Sequence, residues 1–217
     1  MSVSTRILIA PSLLAADFGR LKEDVQRVEE AGADWLHVDV MDGHFVPNLT
    51  MGPFIVEAIK RITRLPLDCH LMIEYPEKYV EAFVKAGADW ISVHPEAPGD
   101  ARKALERAQK NGARPALAIN PPTTVESIRS YRGQIEMLLI MTIFPGFGGQ
   151  KMMPECLPKY AQARELFGPE LLLEIDGGVT LENVSQVRAA GAEAIVAGTA
   201  VFGAKDPAAA VRALKQG

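Results

Sequence analysis

Short aliphatic runs alternate along the chain with longer stretches in which apolar residues recur three and four positions apart. The first pattern predicts strands and the second amphipathic helices. Strands are expected at 7–12, 35–41, 66–72, 90–94, 114–120, 137–143, 171–176 and 194–198. Helices are expected at 17–31, near 54–62, at 76–86, up to 111, near 124–130, at about 154–167, at 181–190 and from 207 onward. Asp17 is a natural N-cap and Gly32 a C-cap for the first helix.

Eight strands alternating with eight helices imply a parallel sheet. A weak repeat supports the count. Ala31-Gly-Ala-Asp-Trp35 returns as Ala86-Gly-Ala-Asp-Trp90, Ala190-Gly-Ala-Glu193 echoes it, and Asn111-Gly-Ala113 is a looser copy. Gly32, Gly87, Gly112 and Gly191 lie 55, 25 and 79 residues apart, close to two, one and three units of about 27. Each copy stands where a helix gives way to a strand. The expected fold is therefore α/β, a (β/α)8 TIM barrel occupying 1–217 as one domain. The rival, an open doubly wound sheet, lacks the Gly-x-Gly-x-x-Gly that would follow its first strand.

Strand parity then sorts the polar residues. Leu36, Val38 and Val40 alternate with His37, Asp39 and Met41. Asp68, His70 and Met72 oppose Leu67, Cys69 and Leu71, and Leu172, Glu174 and Asp176 oppose Leu171, Leu173 and Ile175. The aliphatic sets should pack on the helices and the mixed sets should point into the barrel, whose upper strand ends meet at one mouth. His37, Asp39, His70 and Asp176 would gather there as two imidazoles and two carboxylates, a four-ligand set for a divalent metal. Buried carboxylates without partners cost several kcal/mol each unless a cation or a proton compensates them.

Glycine-rich turns follow the last three strands: Pro145-Gly-Phe-Gly-Gly149, Gly177-Gly178 and Gly198-Thr199. Backbone N–H groups in such turns approach an anion closely, and barrels commonly hold a phosphate after strands seven and eight. Met41, Met72 and Met141 are inward near the mouth, as core filling or as a polarizable lining. Ser12, at the end of the first strand, is placed to bond substrate or the next turn. His94 is inward on the fourth strand with a structural role, and His44 is a loop residue. Trp35 and Trp90 belong to the packing of the lower strand ends, and the loop 43–50 is a candidate lid.

Bulk properties narrow the class. The 217 residues are 48% hydrophobic and 23% charged, enough for one sizeable core. A net charge of −4 gives no nucleic-acid surface, and no apolar run reaches the roughly 20 residues of a membrane span. The N-terminus has no signal-peptide pattern, and Cys69 and Cys156 have no metal-type spacing. A cytoplasmic protein is expected.

Six motifs carry a resemblance that runs over essentially the whole chain. They are Pro11-Ser-Leu-Leu-Ala-Ala-Asp-Phe18, His37-Val-Asp-Val-Met-Asp-Gly-His-Phe-Val-Pro-Asn48, Asp68-Cys-His-Leu-Met72, Pro145-Gly-Phe-Gly-Gly-Gln150, Asp176-Gly-Gly178 and Ala197-Gly-Thr199. Together they resemble the ribulose-phosphate 3-epimerase family. The resemblance implies epimerisation of D-ribulose 5-phosphate to D-xylulose 5-phosphate at C3. It implies one divalent ion per chain on His37, Asp39, His70 and Asp176, with Zn²⁺ foremost and Fe²⁺, Mn²⁺ or Co²⁺ compatible. Asp39 and Asp176 would be the acid/base pair. Ser12 and His70 would contact the sugar phosphate beside the methionines. Gly146, Phe147, Gly148, Gly149, Gly177, Gly178, Gly198 and Thr199 would cradle its phosphate. A homo-oligomer, dimer or hexamer, is also expected. Phe144, Thr199 and Lys151-Met152 depart from the usual pattern without touching the expected ligands. Two alternatives remain: a related sugar-phosphate barrel enzyme, either an allulose-6-phosphate epimerase or a hexulose-phosphate synthase, and a non-catalytic phosphate-binding barrel.

Overall fold

Continuous burial of both faces of the strands is what separates this sheet from a half-exposed one. In the computed structural model, which describes residues 7–216, every residue of β2 (Leu36–Met41) and β3 (Leu67–Met72) is buried. The other strands are β1 (Leu8–Pro11), β4 (Trp90–Val93), β5 (Arg114–Ile119), β6 (Met137–Met141), β7 (Leu172–Asp176) and β8 (Ala194–Ala197). All pair in parallel, in the order β1-β8-β7-β6-β5-β4-β3-β2. The seam between β1 and β2 is closed by a Ser12–His37 bridge and by Ile9 O, which accepts from Asp34 N at 2.9 Å and Trp35 N at 3.3 Å. The sheet is a barrel, as strand count and repeat predicted, and not an open doubly wound sheet.

Around it lie α1 (Leu21–Glu30), α2 (Pro53–Lys60), α3 (Val80–Ala86), α4 (Ala101–Lys110), α5 (Pro158–Phe167), α6 (Val184–Ala190), α7 (Thr199–Phe202) and α8 (Pro207–Gln216). Several expected helices are shorter than predicted, for local reasons. Asp17 caps a 3₁₀ turn, Phe18–Arg20, by accepting from Gly19 N at 2.9 Å, and the α-helix starts only at Leu21. Gly19 lowers helix propensity in that stretch. The segment after β5 is a 3₁₀ helix, Glu126–Tyr131. There Ser127 Oγ donates to Thr124 O at 2.7 Å, a local bond that competes with α-helical turns. A separate turn, Pro154–Cys156, precedes α5, because Pro158 has no N–H to continue a helix across it. The short α7 follows β8 and was not foreseen in the pattern.

Strand parity holds. The outer faces, including Val38, Leu71 and Ile175, pack with the helices in one apolar layer. The inner faces form a second layer from Ala10, Ala116, Leu139, Met141 and Val196. Its lower end is filled by Trp35 against Trp90, ring centroids 5.4 Å apart, so the mouth at the other end is where polar groups are admitted.

Candidate active site

Parallel pairing places register partners on the same face of the sheet. β2 and β3 pair His37 with Asp68, Asp39 with His70 and Met41 with Met72, and β6 and β7 pair Met141 with Asp176. This register, with the alternation along each strand, sets His37, Asp39, His70 and Asp176 close together inside the barrel. His37 Nε2 lies 3.3 Å from Asp39 Oδ1 and 3.9 Å from Asp176 Oδ2. His70 Nδ1 lies 3.5 Å from Asp39 Oδ1 and 3.8 Å from Asp176 Oδ2. All four ligand atoms fall within 4.8 Å of one another.

These residues fit a divalent cation on two counts. A tetrahedral ion with arms of about 2.0–2.1 Å holds its ligand atoms about 3.3 Å apart, near the spacings observed. In addition, His37 Nε2 and His70 Nδ1 are buried without a hydrogen-bond partner, a costly state for a polar nitrogen unless an electrophile faces it. The opposite ring nitrogens are both engaged: His37 Nδ1 with Asp68 Oδ2 at 2.5 Å, and His70 Nε2 with His94 Nε2 at 2.8 Å.

The electrostatics divide the carboxyls. Burial works against charge on Asp39, but His37 and His70 outweigh it and hold the group well below the usual carboxylate range. Burial, and then the negative charge of Asp39, push Asp176 up to about 7. Burial opposes protonation of His37, yet Asp39 and Asp68 raise it well above an ordinary imidazole. Burial keeps His70 low. One layer down, Glu174 is fully buried, and burial followed by repulsion from Asp68 raises it far above the carboxylate range. Burial thus disfavours charge on Glu174 and Asp176, where strand parity crowds acidic groups together.

A cleft of about 910 Å³ opens above this cluster. Asp39, Asp176, Ser12, Met41, Met72 and Met141 line it, as do Gly146, Phe147, Gly148, Gly149, Gly177, Gly178, Gly198 and Thr199. His37 and His70 are 0% exposed and lie beneath the lining. Ser12 Oγ donates to Asp39 Oδ2 at 2.6 Å, so its first partner is the carboxylate rather than the next turn. Met41 and Met72 cluster with Val46, and Met141 belongs to the inner layer, so all three fill space while facing the cleft.

Glycine is sterically required at the end of β7. A Cβ on Gly178, at φ +67, would sit 2.3 Å from Met152 N and 2.8 Å from Gln150 O. The two glycine-rich loops consequently touch backbone to backbone. Gly148, by contrast, has open space on its Cβ side. Thr199 and Ala200 open α7, where first-turn N–H groups have no intrahelical acceptor. The loop after β2 is latched: Thr50 Oγ1 donates to Asp39 O at 2.6 Å, and Asn48 Nδ2 donates to Gly146 O at 2.8 Å. His44 is exposed on this loop, away from the cluster. Phe144 and Phe147 are both more than half exposed at the rim.

Sequence reasoning passed over several residues. Asp68 and Glu174 were sorted inward but given no role. Thr142 was not singled out, although its hydroxyl donates to Gly177 O at 2.7 Å and fixes the turn that carries Asp176. Glu96, two residues beyond His94, was not singled out, because whether it turns back onto His94 depends on the turn after β4 rather than on a sequence period.

Comparison with known proteins agrees with this geometry. Residues 8–202 match the model of the ribulose-phosphate 3 epimerase family. A ribulose-phosphate 3-epimerase of Synechocystis is 48% identical, over 98% of this chain and 95% of that protein. The Bacillus subtilis ribulose-phosphate 3-epimerase is 46% identical, over 92% and 94%. Among solved structures, 3-hexulose-6-phosphate synthase from Salmonella typhimurium aligns with a TM-score of 0.73 at 15% identity, covering 97% of each chain, a likeness of fold alone. The whole-length match to the family model and to these relatives, on a barrel whose mouth holds the motif residues, establishes that the chain belongs to the ribulose-phosphate 3-epimerase family.

Proposed function

We propose that this chain is an isomerase that interconverts D-ribulose 5-phosphate and D-xylulose 5-phosphate by moving a proton on and off C3 from two sides. One observation carries the reading: two carboxyls face one cleft in different electrostatic settings, Asp39 held low by His37 and His70, and Asp176 raised to about 7 by burial and by Asp39. Pairs of titratable groups pushed apart in this way are suited to act as base and acid.

Inversion at C3 needs a proton taken from one face and one returned to the other. Asp39 Oδ1 and Asp176 Oδ2 turn toward the imidazoles, which leaves Asp39 Oδ2 and Asp176 Oδ1 for the substrate. The Ser12 hydroxyl on Asp39 Oδ2 steadies that oxygen and stabilises its anionic form. Asp176, across the cleft, would exchange a proton with the opposite face through its free oxygen. In the reverse direction the two exchange tasks. Met41, Met72 and Met141 keep water from the carbanionic carbon. Gly177, Gly178, Gly198 and Thr199, with Gly146–Gly149, offer backbone N–H groups to the phosphate. His37, Asp39, His70 and Asp176 would hold one divalent ion per chain, Zn²⁺ by the donor set. Such a cation, when bound, supplies Lewis-acid stabilisation of the charge that develops on the substrate oxygens.

No helix among the described residues is long and apolar enough to cross a membrane. Relatives include both a chloroplastic and a cytoplasmic enzyme, and we assign this chain to the cytoplasm. Leu49 and Phe54, each 74% exposed, support assembly into a homo-oligomer, which light scattering tests.

The deciding experiment is an epimerase assay on ribulose 5-phosphate after chelation and after add-back of Zn²⁺, Fe²⁺, Mn²⁺ or Co²⁺. Activity that is lost and regained is expected. Full activity in metal-free protein would overturn the metal role. Condensation of formaldehyde with ribulose 5-phosphate, without epimerisation, would overturn the reaction itself.

A further inference from the structure

The two imidazoles of the candidate metal cluster are held in different ways. His37 leans directly on a carboxylate, through Nδ1 to Asp68 Oδ2 at 2.5 Å. His70 has no carboxylate on its outer nitrogen. Its Nε2 meets Nε2 of a second, fully buried imidazole, His94, at 2.8 Å. His94 Nδ1 in turn lies 3.2 Å from Glu96 Oε2. The other oxygen of Glu96 accepts from Asn120 N at 2.9 Å and from the Thr123 hydroxyl. Lys159 Nζ pins that turn by donating to Asn120 O at 2.9 Å and Pro121 O at 2.8 Å. Phe45 lies against the His94 ring, centroids 5.0 Å apart.

The proton positions along this line follow from the partners. A carboxylate only accepts, so the nitrogen facing Glu96 carries a hydrogen and His94 is the Nδ1–H tautomer. Its Nε2 is then a lone pair, and the contact with His70 requires the hydrogen on His70 Nε2. His70 Nδ1 is left as a lone pair aimed at Asp39 and Asp176, and it is the ring atom found buried and without a hydrogen-bond partner. Reversing any one link would set two hydrogens or two lone pairs against each other.

We propose that Glu96 is a positioning residue which, through His94, fixes the tautomer of His70 and so presents its Nδ1 lone pair to a metal ion. This rests on the metal reading above. Glu96 itself touches neither the cation site nor the cleft lining.

The test compares two variants. Glu96→Gln keeps the shape and keeps an oxygen for Asn120 N and Thr123, but it turns an amide N–H₂ toward His94 Nδ1. Donor then faces donor, His94 shifts its hydrogen to Nε2, and His70 is forced to protonate Nδ1, the ligand atom. Glu96→Ala loses more packing, but it admits water, which accepts from His94 Nδ1–H and preserves the order. Zn²⁺ affinity, measured by competition with a chromophoric chelator, should fall 10–100-fold in Glu96→Gln and less in Glu96→Ala. Thermal stability of the metal-free proteins should fall in the opposite order. Imidazole ¹⁵N shifts of metal-free protein should report His70 as the Nε2–H tautomer in the wild type and as Nδ1–H in Glu96→Gln. Affinities that follow stability, with Ala worse than Gln, or an unchanged His70 tautomer in Glu96→Gln, would overturn the relay. A wild type with no Zn²⁺ affinity would instead overturn the metal reading, and the ¹⁵N shifts would still decide the relay.

Discussion

Asp176→Asn separates what the residue does for the reaction from what it costs the fold. The ordinary value for this carboxyl is 3.8, and in the folded chain it rises to about 7. For an acid with a raised folded value, the favourable contribution is complete below about 4 and is lost as pH climbs to about 7, because the unfolded chain ionises first. Three units correspond to about 4 kcal/mol at most, reduced to ~2–4 by relaxation and water access at a side chain that is 15% exposed. An amide cannot ionise and escapes this loss. In chelator, Asp176→Asn should therefore unfold at higher denaturant concentration than wild type at pH 8, and the two should be nearly equal at pH 4. Zn²⁺ should reverse the pH 8 order, since it stabilises only a chain that binds it. Epimerisation should fall by ~10²–10⁴, the usual contribution of one positioned acid or base. A variant less stable than wild type at pH 8 in chelator would refute the reasoning, because Asp176 would then be making net favourable contacts.

Two further outcomes follow from the same geometry. Apparent Zn²⁺ affinity should rise as pH climbs through 7 and beyond, because Asp176, with a value of about 7, and His37, raised above an ordinary imidazole, must each lose a proton to become ligands, and competition titration over a range of pH on both sides of 7 checks this. Gly178→Ala should cost ~2–4 kcal/mol and raise KM for the sugar phosphate, since its Cβ meets Met152 N at 2.3 Å, whereas Gly148→Ala should leave stability nearly unchanged; paired denaturant melts and kinetics decide.

The part of this architecture legible in the sequence is the part governed by a period. Alternation on β2, β3 and β7 sorted Val38 from Asp39 and Cys69 from His70, because burial on both faces leaves only the barrel interior for a polar side chain. The Ala-Gly-Ala-Asp copies marked the turns that repeat. What lies between strands was not legible. That Asp68 stands beside His37 depends on the β2–β3 register, and that Glu96 meets His94, two residues before it, depends on the turn taken after β4, which no period along the chain marks. Helix lengths failed where local side-chain bonds outcompete helical turns, as at Thr124–Ser127. The α7 turn, four residues long, is too short for a 3.6-residue period to register.

The barrel interior also limits how many cations it can hold. A lower group, His37, Asp68 and Glu174, has the donor types for a second ion. Two facts oppose it. His37 Nδ1 is already joined to Asp68 Oδ2 at 2.5 Å, so no ring nitrogen is left to face downward. Glu174 is fully buried, and burial together with repulsion from Asp68 works against the charge that an ion would need. The lower layer therefore supports His37 through Asp68 rather than forming a second centre. Glu174→Gln, a neutral group of the same shape, should keep stability within about 1 kcal/mol and bind Zn²⁺ as wild type does, while Glu174→Ala should lose ~2–4 kcal/mol through the void it leaves. Elemental analysis of wild type should find about one ion per chain. Two ions in the wild type, falling to one in Glu174→Gln, would show that the lower group is ionised and coordinating after all.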